Sequence, residues 1–304
     1  MFKTKRRKNI EMKHAYLIIA NRNPKQVNKL LNCLDDSRND IYVLIDKKSK
    51  QLFPKYKTLY SNINYLQPLN IWWGDYSLIK AELELFKAAS YGNYEYYHLL
   101  SGLDLPLENQ DKVHAFFDNN LGKEFITYSS VQNQKDLEIR LHKYLFSHHF
   151  RTKNKVVSII NKIEKRLFTS YNQKRVDIDY IEFGSNWVTI ENELVHSLIE
   201  NEDSLYKMFN RGFLVDELFI PIFLNMHPKF KKRVFYEQKV TDAPDELQGN
   251  LRYINWWDGS PYVWRLSDYE TLKNAKKMGH LFARKFDETV DESIINKIVK
   301  DCLK

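Results

Sequence analysis

Residues 14–46 read HAYLIIANRNPKQVNKLLNCLDDSRNDIYVLID. The first seven form a short apolar run, the pattern of a parallel strand buried on both faces. The turn NRNP follows, and over 24–34 Val27, Leu30, Leu31 and Leu34 recur at helical spacing. Residues 41–46, IYVLID, make a second apolar strand that ends on Asp46. Strand, helix and strand in this order open a doubly wound α/β sheet, in which ligands sit at the carboxyl ends of the strands. Asp46 and the Lys47-Lys48-Ser49 that follow are therefore expected beside a nucleotide.

Outward from this unit, residues 76–90 carry Leu78, Ile79, Leu83 and Phe86 on one helical face. YEYYHLLSG (94–102) reads as a strand running into a Ser101-Gly102 turn, followed by Asp104, Leu105 and Pro106. Further helices are expected over 108–118, 191–200, 216–225, 268–278 and 289–303, and strands over 123–128 and 183–190. With no internal repeat and no linker, the simplest organisation is a basic tail (1–13) and one α/β domain (14–304). Its central sheet is expected to be mixed, mostly parallel and flanked by helices, with a basic helical insertion near 135–175.

Composition narrows the class. Hydrophobic residues are 43% and charged residues 28%, an ordinary globular balance, and 9 Gly and 8 Pro leave no room for low-complexity tracts. The net charge of +8 is concentrated: residues 135–175 hold eleven Lys or Arg against three acids. Such charge suits nucleic acid, an anionic membrane or a phosphorylated ligand. No nucleic-acid-binding module accompanies it, so nucleic acid is not an expected partner. Cys33 and Cys302 stand at opposite ends of the chain, too few for a disulfide framework or a metal cluster, which fits a reducing, cytoplasmic setting. No run approaches the length of a membrane span, and the basic N-terminus lacks the apolar core of a secretory signal.

Asp177-Ile178-Asp179 has the letters of an Asp-x-Asp metal site. It lies in a basic segment, however, and not after an apolar strand. The strand end HLLSGLDLP offers only Asp104. No metal is therefore expected, and basic side chains are left to neutralise phosphate charge.

Six segments occur in one order: WWGDYSLIKAELELFKAA, YEYYHLLSGLDLPL, FGSNWVTI, VDELFIPIFL, LRYINW and HLFARKFD. Over roughly residues 14–290 this set resembles the core-2/I-branching β-1,6-N-acetylglucosaminyltransferase and peptide xylosyltransferase family, glycosyltransferase family 14. The resemblance implies a variant of the GT-A nucleotide-sugar fold and inverting, metal-independent transfer from a UDP-sugar to a glycan hydroxyl. UDP-N-acetylglucosamine is the expected donor and a β-1,6 linkage the expected product. A xylosyltransferase using UDP-xylose, or a carbohydrate- or membrane-binding protein without turnover, is the alternative. The absence of an anchor and of paired cysteines points to a bacterial relative that extends a surface polysaccharide, with a lipid-linked glycan as acceptor.

The resemblance also implies roles. Glu217, in Asp216-Glu217-Leu218-Phe219, matches the catalytic base. It would take the proton of the acceptor hydroxyl as that oxygen attacks the sugar C1. Asp216 is its neighbour on the acceptor side, or an ordinary helix cap. Lys285 matches the lysine that meets the donor diphosphate, and an extended backbone would point Arg284 away from it. Arg265 is the nearest candidate for a second, upstream cation, with Arg252 as rival. Trp256 matches a tryptophan that stacks on the acceptor sugar, and Arg140 lies where the family has basic acceptor-binding residues. Asp46, Gly102 and Asp104 border the donor, and Trp72, Trp73 and Gly74 position a loop beside it.

Residues 151–168, RTKNKVVSIINKIEKRLF, place Val156, Ile159, Ile160, Ile163 and Leu167 on one helical face, mostly clear of the lysines. A basic amphipathic helix of this kind can pack its apolar face on the core with its basic face solvated, or lie on an anionic membrane, which would hold the enzyme at the inner face where a lipid-linked glycan is extended. In liposome flotation the protein should rise with anionic but not neutral vesicles at moderate salt; no difference between the two vesicle types would end this idea.

Overall fold

The computed structural model describes residues 13–142, 155, 156, 158–160, 163, 175–178 and 180–304. The expected tail lies outside this set except for Lys13, as do most of the expected basic insertion and Asp179.

His14–Ala20 forms β1, and its side chains alternate between two cores. Ala15, Leu17 and Ile19 enter one; Tyr16, Ile18 and Ala20 enter the other. That alternation is the period of two of an extended chain, and burial of both faces is why the run is apolar throughout. After α1 (Pro24–Leu34) come β2 (Asn39–Ile45) and β3 (Asn62–Tyr65), then α2 (Tyr76–Ala89) and β4 (Tyr96–Ser101). The remaining strands are β5 (Asp104–Pro106), β6 (Tyr128–Ser129), β7 (Phe183–Gly184), β8 (Thr189–Glu191), β9 (Lys239–Val240), β10 (Arg252–Ile254) and β11 (Phe282–Arg284).

The main sheet has the order β3-β2-β1-β4-β8. Its first four strands are parallel, and β8 closes one edge antiparallel to β4. The fold class is thus mixed α/β, with a mostly parallel central sheet flanked by helices. One face packs against α2 and the helices Asn192–Glu200 and Phe219–Met226. The other packs against α1, α3 (Gln110–Asp118) and Glu292–Cys302. Two small sheets, β10-β11-β5 and β7-β6-β9, flank the carboxyl-end side of β4.

Arg252 ties the small sheet on β10 to the main one. Fully buried, it donates to the Leu99 carbonyl at 3.1 Å, the Val188 carbonyl at 2.7 Å and the Thr189 hydroxyl at 3.0 Å. Burial brings this guanidinium down to about 9, a cost that only such a set of acceptors offsets. Arg252 is therefore a structural residue, not a cation available to a ligand. The two cysteines, distant in sequence, are both buried and free. Cys302 donates to the Pro106 carbonyl at 2.8 Å, and its Cys33 neighbour helps push its thiol up.

Several expected elements change shape. FGSNWVTI is not one strand: β7 and β8 belong to different sheets, and the segment between them passes from one cavity to another. The expected helix over 216–225 begins as a single 3-10 turn, Val215–Glu217, before Phe219–Met226. Of 123–128, only Tyr128 enters a strand, with Glu124 and Phe125 in isolated bridges. Among the described residues of the basic insertion, Ile159, Ile160 and Ile163 are exposed.

Gly184 shows why the backbone is drawn tight at β7. A Cβ there would lie 1.7 Å from the Thr127 carbonyl oxygen. G184A should lower the urea midpoint, at a cost of about 1–3 kcal/mol for forced overpacking; an unchanged midpoint would show that the strands do not approach this closely.

Candidate active site

One cavity opens at the carboxyl ends of the main strands, and a second is lined by the sheet β7-β6-β9 and neighbouring loops. The first, about 350 Å³, is lined by Ala20, Asp46, Gly102, Trp187, Arg284 and Lys285, with Arg22 at its edge. Its floor is made by strand ends: Gly102 N donates to the Ile19 carbonyl at 2.9 Å, and Asp46 N to Ala20 at 2.8 Å. A Cβ on Gly102 would come within 2.8 Å of a Val27 methyl, so glycine permits the close crossing of this turn over α1. The Asp46 carboxylate accepts from Lys48 Nζ at 2.9 Å and from the backbone of Lys48 and Ile71, which fixes the loop after β2.

Arg284 is the basic residue whose placement differs most from the extended-backbone expectation. It lines this cavity together with Lys285. Its guanidinium stacks 4.7 Å from the Trp187 ring and pairs with Asp104 at 2.8 Å. Asp104 lies under the cavity, fully buried, and also accepts from Ser101 N at 2.9 Å and Ser101 Oγ at 2.8 Å. It holds the arginine and does not itself face the space. Arg265 is elsewhere: it is exposed, precedes the 3-10 turn Leu266–Asp268 and is tied to Asp268 in a capping box. It lines neither cavity. Arg22, paired with Asp287 at 3.2 Å, and Arg284 line the first cavity instead.

The second cavity, about 170 Å³, holds Glu217 and Trp256 together, with Ser185, Asp242, Gln248 and Asn250 among its other walls. Trp256 is 39% exposed, as a stacking platform must be. Glu217 pairs with Arg140 at 2.6 Å. Arg140 is buried, also donates to Gln132 at 2.6 Å and to the Leu214 carbonyl, and reaches the cavity only through Glu217 and Gln132. Asp216 is buried behind Glu217, and its Oδ1 has no hydrogen-bond partner. Burial first, then the Glu217 charge, push its carboxyl up to about 7. Glu82, deeper on α2, is likewise pushed up by burial and accepts from Asn186 at 2.9 Å.

The cavities share their walls. Ser185 faces one and Trp187 the other; Ile254 and Trp256 face one, Ser260 and Pro261 the other. Trp73 lines the first, and its neighbour Gly74 accepts from Leu214 N at 2.8 Å, just before Glu217. Three connecting segments thus join the base to the cationic space. Among the described residues no group of three or more His, Cys, Asp or Glu is placed to hold a metal ion.

Of the residues that the sequence analysis singled out, the first cavity gathers Lys285, Asp46 and Gly102, and the second gathers Glu217 and Trp256. Asp104, Asp216 and Arg140 support those walls from beneath. Sequence reasoning missed Arg22, Trp187 and Asp242 as wall residues. Trp187 stood inside a quoted segment, but only the break of that segment into two strands turns it into the cavity.

A space lined by Arg22, Arg284 and Lys285 at strand ends, near one lined by Glu217 and Asp242, is the arrangement this mixed α/β chain presents. The chain belongs to the Core-2/I-Branching enzyme family, whose profile matches residues 14–278, and it is thereby a glycosyltransferase family member. It is similar to Xylosyltransferase 2 of Rattus norvegicus, 21% identical over 297 residues and 92% of this chain. It is also similar to Xylosyltransferase oxt of Drosophila melanogaster, 22% identical over the same share. The chain spans about a third of the length of these relatives, 32% in each case. Among solved structures, mouse Xyloside xylosyltransferase 1 in its apo form aligns over 89% of this chain and 96% of its own, at 12% identity and a TM-score of 0.36.

Asp216 offers a test of the electrostatics. An unfolded Asp ionises near 3.8, the folded one near 7. Between these values the native state binds the extra proton, so this group's contribution to stability falls as pH rises. D216N removes the slope. The variant's melting temperature minus that of the wild type should therefore rise from about pH 4 to about pH 7 and level off above. A difference independent of pH would mean that Asp216 is ionised in the fold.

Proposed function

We propose that the protein is an inverting transferase that moves N-acetylglucosamine from UDP-N-acetylglucosamine to a glycan hydroxyl, with Glu217 as base. The single observation behind this reading is the pairing of Lys285 and Arg284 in one cavity with Glu217 and Trp256 in the next, joined by shared walls. The diphosphate would lie against Lys285 and Arg284, with Arg22 at the margin. The nucleoside would extend toward Asp46. The acceptor ring would stack on Trp256 with one hydroxyl at Glu217.

In this arrangement Glu217 takes the hydroxyl proton, the freed oxygen bonds to C1 from the face opposite the nucleotide, and the C1–O bond to UDP breaks. The negative charge that develops on the departing diphosphate falls on the two cations, which need no metal to balance it. Arg140, paired with Glu217 at 2.6 Å, holds its carboxylate in one rotamer. Trp187 and Asp104 clamp Arg284 from two sides, so its charge is already in position when the donor binds.

A second reading, UDP-xylose as donor, is favoured by the similar proteins, which are xylosyltransferases. A panel of UDP-sugars, scored by UDP release with and without an oligosaccharide acceptor, separates the two.

E217Q should lower transfer by about 10²–10⁴, the usual worth of a general base, while UDP affinity stays the same. K285A should weaken UDP binding in calorimetry. Chelator should leave wild-type transfer unaltered. Full transfer by E217Q would remove the assigned base, and loss of activity with chelator, restored by manganese, would remove the cation-only account.

A further inference from the structure

The acceptor-side cavity carries a second carboxylate that the proposed chemistry does not use. Asp242 lines it together with Glu217 and Trp256. Its backbone lies at φ 65, in the left-handed region that Asp and Asn enter more readily than other non-glycine residues. The loop around it is fixed. Glu246 folds the loop back on itself, accepting from Thr241 N at 2.8 Å, Thr241 Oγ1 at 2.7 Å and Ala243 N at 3.0 Å. These bonds hold the Glu246 carboxyl down and span the residue that points into the cavity.

The charges that bear on Asp242 are all of its own sign. Glu246 in its loop and Glu217 across the cavity both push its carboxyl up, after burial, to about 6. Arg140, behind the wall, is taken by Glu217 and Gln132. No Lys or Arg stands among the described residues that line this space. The contrast with the neighbouring cavity, which holds Arg284, Lys285 and Arg22, is complete.

Resting on the transferase reading above, we propose that Asp242 is a specificity-determining residue: it accepts a hydrogen bond from a hydroxyl of the acceptor ring and, with Glu217, bars acceptors that carry a carboxylate or phosphate there. The acceptor class is then a neutral hexose or hexosamine unit. A uronate would bring a third negative charge into a space that already holds two and offers it no partner, and like-charge juxtaposition of this kind is how sites reject wrong ligands. The hydroxyl hydrogen bond works in the same direction, because a carboxylate cannot donate it.

The probes are a matched pair, methyl β-D-glucopyranoside and methyl β-D-glucuronide, which differ only at C6. Their affinities for the full chain, saturated with UDP, are measured by saturation-transfer NMR titration at pH 7.5. The wild type should prefer the glucoside by about tenfold or more, and D242N should shrink that gap to about threefold or less. Asn tolerates the left-handed backbone, so the loop should persist; an unchanged melting temperature checks this. D242K should invert the preference. Equal affinities in the wild type, an unaltered gap in D242N, or no saturation transfer to either sugar would each overturn the proposal. Calorimetry with UDP on the same samples separates the two levels: normal UDP binding without sugar discrimination sinks only the role of Asp242, whereas absent UDP binding sinks the transferase reading and this inference with it.

Discussion

Asp104 is a carboxylate with no exposure to solvent, and it has to be satisfied by what surrounds it. Ser101 supplies a backbone and a hydroxyl hydrogen bond from the end of β4, and Arg284 supplies a charge from β11. These three partners bring together the end of the central sheet and the small sheet β10-β11-β5, whose pairing runs Asp104 to Arg284 and Leu105 to Ala283. Everything at the donor side follows from this node. Arg284 is aimed up beside Trp187, Lys285 is the next residue along, and the Gly102 turn lies directly before the carboxylate. Removal of the Asp104 charge would leave a guanidinium with no counter-ion under the cavity floor, so the node couples folding to the readiness of the site.

The two cavities differ in sign. Arg22, Arg284 and Lys285 line the one where the parallel strands end, and Glu217 and Asp242 line the other, which has no Lys or Arg among its described walls. A leaving diphosphate and a hydroxyl that must lose its proton make opposite demands, and one undivided pocket would have the two sets neutralise each other. Arg140 shows how this is avoided. It is paired to Glu217 from behind, is buried, and lines neither cavity.

Much of the main sheet was legible in the chain. Apolar runs at 14–20 and 41–46 and the helical spacing between them predict strands and a helix that the structure contains with boundaries shifted by two residues at most. Burial on both faces forces such runs to be uniform, and uniform runs are easy to read. The short strands β3, β5, β9, β10 and β11 were not legible, because two to four residues carry no period of their own and pair only when a partner is brought to them. FGSNWVTI illustrates the limit: as a string it looks like one strand, yet Gly184 must press against Thr127 and Trp187 must turn into the donor cavity, so the segment divides. Arg265 and Arg284 exchange importance for a similar reason. Spacing along a chain cannot tell which arginine lies over a buried acid.

The residues alone determined the class of sheet and the ordered segments that carry the family resemblance, and that resemblance singled out Glu217, Lys285 and Trp256 as the side chains worth following. These are matters of local pattern, and local pattern survives without a fold. The tertiary structure decided which of them share a space. It set Asp242 opposite Glu217, withdrew Arg252 and Asp104 into the core, and placed Cys33 against Cys302 across nearly the whole chain. Such juxtapositions join residues dozens to hundreds of positions apart, and they are selected by packing and by the need to pair buried charge, neither of which is written in any one stretch of sequence.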